Sequence, residues 1–242
     1  MIKITGAGKP APRLYAAKLP PLESRDFFES AYSVVSPERR EKTDKYRQPM
    51  DKLRSLGAGL LLLKSAVDCG IGISDLTVES SDCGKPFLPD FPDFHFNISH
   101  SGEYVICCVG SSEVGCDIEE MKTCETDIAR RFFLPSEYSY IMSADGDNER
   151  TLRFYRIWTA KESFMKLTGL GMKMELSSFE LRPDNCGGLG LIQNYDKKTY
   201  RLQEFRTVCG YCITVCSELT ENFGYTDCDL CEIAEGLRCL KN

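Results

Sequence analysis

Two carboxylates spaced two residues apart, Asp117 and Glu119 in the run Gly115-Cys-Asp-Ile-Glu-Glu120, are the first candidates for chemistry. On a strand they project from one face, while Val114, Cys116 and Ile118 point the other way into a core. Adjacent carboxylates repel, and one pKa rises unless a cation sits between them. Mg²⁺ suits such a pair, because it takes oxygen ligands, keeps several waters and is held by one or two carboxylates plus substrate phosphates. A solvated strand edge would use the same residues, since acidic side chains are common on surfaces.

A second group lies in Trp158-Thr-Ala-Lys-Glu-Ser-Phe-Met-Lys166, followed by Gly169 and Gly171. On a helix Glu162 and Lys166 are neighbours on one face. They read either as a surface ion pair or as a third metal ligand beside a phosphate-facing cation. Gly169 and Gly171 resemble part of a phosphate-binding glycine loop, but they follow a helix rather than a strand, so a dinucleotide fingerprint fails its context. A third group is Phe96-Asn-Ile-Ser-His-Ser101, where His100 sits between two serines at a strand end. It suits hydrogen-bond donation to a phosphate, or an ordinary polar loop. The fourth is basic: seven positive and four negative residues between 38 and 54 give a local net charge of +3. A solvated helix face and a small polyanion site both account for it.

The thirteen cysteines include C-x2-C-x15-C-x2-C at 209, 212, 228 and 231, a zinc-ribbon spacing. Competing with it, Tyr211, Ile213 and Val215 alternate with Cys212, Thr214 and Cys216, which predicts a strand.

The elements that must position these groups follow from periodicity and caps. Ser36-Pro37 predicts a helix start, with the helix ending near Gln48 before Pro49. A second helix places Leu53, Leu56, Leu60 and Leu63 on one face and stops near Gly70. Strands are predicted at 76–79, 95–99, 104–109 and 114–119. In the second half, helices are predicted at 127–133, 135–142 and 150–168, the last ended by Gly169. Strands follow at 178–182, 189–193, 200–206 and 210–217. Each half reads as helices, then mostly antiparallel strands, which predicts an α+β protein of two similar lobes.

At 242 residues with a net charge of −6, the chain is large enough for a full core and too acidic for binding dominated by nucleic-acid backbone. Its longest run without a polar side chain, 56–63, is far short of a membrane span, and no apolar leader is visible. A cytoplasmic protein with no membrane or nucleic-acid partner is the expectation.

Taken together, these segments resemble the Sfp-type 4'-phosphopantetheinyl transferases. The likeness rests on Gly84-Lys85-Pro86, on Phe96 to Ser101, on Gly115 to Glu119 and on Trp158-x-x-Lys-Glu-Ser-x-x-Lys166-x-x-Gly169-x-Gly171, in the family's order and spacing. Cys116 departs from the family's usual β-branched residue. The resemblance implies a pseudo-dimer of two α+β lobes, 1–113 and 114–217, with the active site between them. The tail 218–242 is left unplaced. It also implies transfer of the 4'-phosphopantetheine arm from coenzyme A to a serine of an apo carrier protein. On that resemblance Asp117, Glu119 and Glu162 hold Mg²⁺, and Arg39, Lys42, Arg54, Ser99 and His100 meet the 3'-phosphate. Lys85 and Pro86 lie along the adenine, and Lys166 faces the transferred phosphate or the incoming serine. Glu162 is the first candidate for the base, with Glu119 and Glu137 as alternatives. From position alone, Met121, Lys122, Arg130, Arg131, Phe132 and Phe133 are expected to meet the carrier protein. A monomer is expected. A different Mg²⁺-dependent enzyme acting on a nucleotide or phosphodiester, and a zinc-stabilised interaction module, are the competing readings.

Overall fold

The structure is a computed structural model that describes residues 9–218 and 220–241. The chain divides into two compact units. The first takes residues up to Glu79, Phe87–Ser111 and the chain from Phe223 on; the second takes Ser80–Pro86 and Ser112–Asn222.

The first unit opens with β1 (Arg13–Lys18), α1 (Arg25–Val34), α2 (Pro37–Lys45) and α3 (Pro49–Asp68). The ladder of β2 (Glu79–Ser80) and β3 (Pro86–Phe87) leads to the hairpin β4 (His95–Ser101) and β5 (Tyr104–Gly110). Ser36 caps α2 as its sequence predicts, with Oγ accepting from Arg39 N at 3.2 Å and Pro37 at the first helical position. The helix ends at Lys45, short of the predicted Gln48, because Tyr46 and Gln48 are extended. Gln48 precedes Pro49, whose ring disfavours helical geometry in the residue before it. Pro49 then starts α3, whose leucines are buried almost all round rather than on one face.

The predicted strand at 76–79 shrinks to β2, with a 3-10 turn at Ile73–Asp75 before it. β1 and α1 have no counterpart among the predicted elements. The tail, left unplaced by the sequence, supplies the remaining two elements of this unit within its described residues. β11 (Gly224–Cys228) is followed by α7 (Leu230–Lys241). The sheet order is β11-β1-β5-β4, with β11 parallel to β1 and the other pairs antiparallel.

The second unit contains β6 (Val114–Glu120), α4 (Thr126–Phe132), α5 (Pro135–Met142) and the long α6 (Asp147–Thr168). β7 (Glu180–Pro183) pairs with β8 (Leu189–Ile192), and β9 (Arg201–Phe205) and β10 (Tyr211–Ser217) complete a second sheet in the order β6-β10-β9. α6 starts three residues before the predicted Arg150, behind Gly146 and with Asp147 and Glu149 in the first turn, where carboxylates suit the helix dipole. Gly169 ends it at φ 74°, a left-handed cap that glycine adopts without strain. In each unit a long helix lies against antiparallel strands, α3 in the first and α6 in the second, so the molecule is α+β with two units of similar build.

One residue sets how closely α6 can approach β6. A Cβ built on Gly115 would lie 2.0 Å from Ser163 O and 2.5 Å from Leu167 N. Both are backbone atoms that cannot swing aside. Gly115→Ala is therefore expected to destabilise the protein by about 2 kcal/mol or more. Urea unfolding measures this, and a midpoint equal to wild type would show that the helix does not need that approach.

Candidate active site on strand β6 and helix α6

β6 alternates as its sequence predicts. Val114, Cys116 and Ile118 are fully buried on one face. Gly115, Asp117 and Glu119 share the other, which α6 covers. Across the ladder Asp117 faces Thr214 of β10, whose hydroxyl lies 2.9 Å from Thr159 Oγ1 on α6. This buried contact fixes the helix along the strand one turn from the functional residues. Lys166, on the last turn of α6, donates from Nζ to Asp117 Oδ1 at 2.6 Å. Asp117 is only 3% exposed.

Glu162 lies one turn before Lys166. Burial pushes its carboxyl pKa up, the charges of Asp117 and Glu119 push it further, and Lys166 pulls partly against them. Burial alone would favour neutral Lys166, but Asp117 outweighs it through charge and hydrogen bond, so the ammonium is held above its usual pKa. The three carboxylates and one ammonium thus share one electrostatic field, as the paired-acid reading requires.

The donor set suits a hard divalent cation, since every candidate ligand is a carboxylate oxygen. Among the described residues no three His, Cys, Asp or Glu side chains form a ready-made metal cage. Mg²⁺ does not require one, because waters and substrate phosphates ordinarily complete its shell.

Two candidates have partners that their sequence positions did not predict. Glu137, named as an alternative base, is buried and committed. Its Oε1 is 2.8 Å from Lys161 Nζ and accepts from Leu181 N, while Oε2 accepts from Leu134 N. With three contacts made and almost no exposed surface, it is out of reach of an incoming serine. Lys85, expected in the first lobe, groups with the second unit. Its ammonium pairs with Glu113 and donates to Val114 O at 3.2 Å and Leu167 O at 2.8 Å. It ties the C-terminal end of α6 to the start of β6, a cation where the helix dipole favours one. Pro86 follows at the start of β3.

The remaining basic and polar candidates, Arg39, Lys42, Arg54, Ser99 and His100, all belong to the first unit. Arg39 and Lys42 are one turn apart on α2. Burial lowers the pKa of both, and Arg39's charge lowers that of Lys42 further. Two cations held together in this way favour an anion between them. Arg54 is fixed by Gly102 O, at 3.1 Å from Nε and 2.7 Å from Nη2, and by Asp51 at 2.9 Å. That places it at the turn after Ser99 and His100, of which Ser99 is buried and His100 exposed on β4. Thr43 and Ser55, 2.8 Å apart and buried, lock α2 to α3.

The segment expected to meet a partner is mixed. Lys122, Arg130 and Phe132 are exposed, with Arg131 over the Phe132 ring. Phe133 instead is core, stacked on Phe154 and tilted against Trp158, and Met121 packs against the same cluster. Cys212 is likewise buried on β10 and contacts Met121 Sδ, so the strand reading holds at that cysteine. Cys228 lies on β11 and Cys231 on α7.

Comparison with known proteins gives the same answer across both units. The model of the 4'-phosphopantetheinyl transferase superfamily matches residues 113–216, and that of the 4'-phosphopantetheinyl transferase N-terminal region matches residues 21–112. The chain is 37% identical over 196 residues to the 4'-phosphopantetheinyl transferase Sfp of Bacillus subtilis, covering 80% of this chain and 87% of that one. A further Bacillus subtilis 4'-phosphopantetheinyl transferase is 39% identical over 160 residues, 66% of this chain and 71% of its own. One named gsp from Aneurinibacillus migulanus is 33% identical over 201 residues, 83% of each chain.

The raised pKa of Glu162 has a measurable consequence. In metal-free protein at neutral pH its ionised form is disfavoured by burial and like charge, so Glu162→Gln is expected to raise Tm by about 2 °C or more. Stability conferred by a raised carboxyl pKa is present at low pH and lost as pH rises through the folded value. The advantage of the glutamine should therefore shrink on acidification. Thermal melts with chelator across that range test it, and a lower Tm at neutral pH would contradict the shared field.

Proposed function

The chain belongs to the 4'-phosphopantetheinyl transferase superfamily, and on that premise we propose how its residues carry out the reaction. The enzyme transfers the 4'-phosphopantetheine arm of coenzyme A to a serine hydroxyl of an apo carrier protein and releases adenosine 3',5'-bisphosphate. The serine Oγ forms a bond to phosphorus, the bond from that phosphorus to the oxygen of the leaving nucleotide breaks, and the serine proton passes to a base.

The observation that carries the residue assignment is the contact of Lys166 with buried Asp117 inside the field shared by Glu119 and Glu162. In this reading Asp117, Glu119 and Glu162 are the residues that would hold Mg²⁺. When bound, the ion neutralises charge on the pyrophosphate and on the leaving group. Lys166, already charged and partly exposed, turns its ammonium to the transferred phosphate. A serine hydroxyl is a weak nucleophile and needs a proton acceptor nearby. Glu162, one turn before Lys166 on α6, is the first candidate to serve, directly or through a water; Glu119 stays as the alternative.

Arg39, Lys42, Arg54, Ser99 and His100 take the 3'-phosphate, a group that does not react. The stem of Lys85 and the Pro86 ring lie along the adenine. Lys122, Arg130, Arg131 and Phe132 are the residues left to greet the carrier protein. The enzyme is read as a cytoplasmic monomer, since a single chain carries every group named; no described helix is long and apolar enough to cross a membrane.

Incubation with coenzyme A, Mg²⁺ and an apo carrier protein should raise the carrier's mass by about 340 Da, the increment of one covalently transferred arm. Asp117→Ala and Glu162→Ala should each lower kcat by about 100-fold or more. Activity undiminished in either would overturn the metal assignment.

Arg54→Ala should act chiefly on the coenzyme A KM, because it holds a phosphate remote from the reacting atom. Lys122→Glu or Arg130→Glu should raise the carrier-protein KM while leaving that for coenzyme A in place. Steady-state kinetics with each substrate varied separates these effects, and a carrier KM that stays constant in both variants would remove this face from recognition.

A further inference from the structure

Among the described residues Lys161 is the one lysine with no exposed surface, and it sits next to Glu162 in the sequence. Its three ammonium protons meet three acceptors: Glu137 Oε1 at 2.8 Å, Leu176 O at 2.7 Å and Phe179 O at 3.0 Å. The Phe179 ring centroid lies 4.4 Å from Nζ. Glu137 is equally buried and accepts from Leu181 N at 2.8 Å and Leu134 N at 2.9 Å. One ion pair therefore joins α6 to the first turn of α5 and to the entry of β7.

At about 100° per residue, Glu162 lies roughly 100° and Lys166 roughly 140° around α6 from Lys161. The Lys161 side of the helix is bolted to α5 and β7, while the Glu162–Lys166 side lies over β6. Two attachments at these angles fix the rotation of α6 about its own axis. Packing alone does not explain a buried lysine here, because well-packed apolar residues usually replace a buried ion pair at little or no loss of stability.

We propose that Lys161 and Glu137 are positioning residues for phosphopantetheinyl transfer, holding α6 at the rotation that aims Glu162 and Lys166 at Asp117 and Glu119. This rests on the transferase reading and adds to it two residues that touch neither substrate nor metal.

The test compares wild type, Lys161→Met, Glu137→Gln and the double variant carrying both, in the full chain. Urea unfolding, kcat, coenzyme A KM and the Mg²⁺ concentration for half-maximal rate are measured for each. Lys161→Met strands a buried carboxylate and should be the least stable. The double variant removes both charges and should regain most of that stability.

If the pair positions α6, kcat of the double variant stays down by about 100-fold, the cost of a misplacement near 1 Å. Its coenzyme A KM stays within about threefold of wild type, and its Mg²⁺ requirement rises. A double variant whose kcat recovers together with its stability would make the pair merely structural and overturn the proposal. Should Lys161→Met fail to fold, Glu137→Gln, which keeps shape and acceptor oxygen, decides alone: folded protein with lowered kcat supports the proposal, and wild-type kcat overturns it. Wild type that transfers nothing to the carrier overturns the transferase reading instead, so the two failures are distinguishable.

Discussion

A carboxylate taken out of water has to be answered by positive charge, and on β6 that demand falls on Asp117. In the chain alone it is met by Lys166 at 2.6 Å. Most of the second unit can be read as what keeps that pair in place. Gly115 removes the side chain that would hold α6 away. The Thr159–Thr214 contact fixes the helix along the strand. Lys85 fastens the end of α6 to the start of β6. None of these groups is reactive, yet each acts within a turn or two of Glu162, where a small displacement would uncouple the acids. The same field that raises the Glu162 pKa makes the ionised, metal-free site costly, which is the usual tension between activity and stability at such centres.

Under the proposed function, the charge of each unit suits a different group of the donor. Coenzyme A carries a pyrophosphate at which reaction occurs and a 3'-phosphate at which it does not. The second unit gathers carboxylates, which suit a cation on the reacting group. The first gathers Arg39, Lys42 and Arg54, which suit direct contact with an anion. A protein of net charge −6 can hold such a patch because the local +3 of residues 38–54 is concentrated on α2, α3 and the short connection between them. Arg54 illustrates how it is kept in register: its guanidinium spans Asp51 and the Gly102 carbonyl rather than hanging free.

Local signals in the sequence were reliable where the structure is local. The period of two in 114–119, the cap at Ser36 and the glycine after Thr168 were all legible. What escaped depends on contacts between distant residues. β1 is buried on both faces between β5 and β11, so its apolar run has no alternation to reveal it. β11 pairs with a strand some 210 positions earlier, as in Leu14 opposite Tyr225, and nothing nearby in the chain announces that. Lys161 stood in plain view inside the motif, but its partner Glu137 lies on another helix, and an acid at that spacing reads equally well as a base. Lys85 likewise has its acceptors 28, 29 and 82 residues away. Phe133 looked like its exposed neighbour Phe132 because adjacent aromatics at a helix end carry no mark of which one turns inward.

The central claim is that Asp117, Glu119 and Glu162 act together on one divalent cation. Mn²⁺, a spectroscopic substitute for Mg²⁺, reports this directly by electron paramagnetic resonance in the presence of coenzyme A, with no dependence on turnover. The account requires about one bound ion per wild-type chain, with affinity reduced about tenfold or more in each of Asp117→Asn, Glu119→Gln and Glu162→Gln, at least the effect seen when even indirect ligand supports are removed. Binding that is unchanged in all three variants would contradict it.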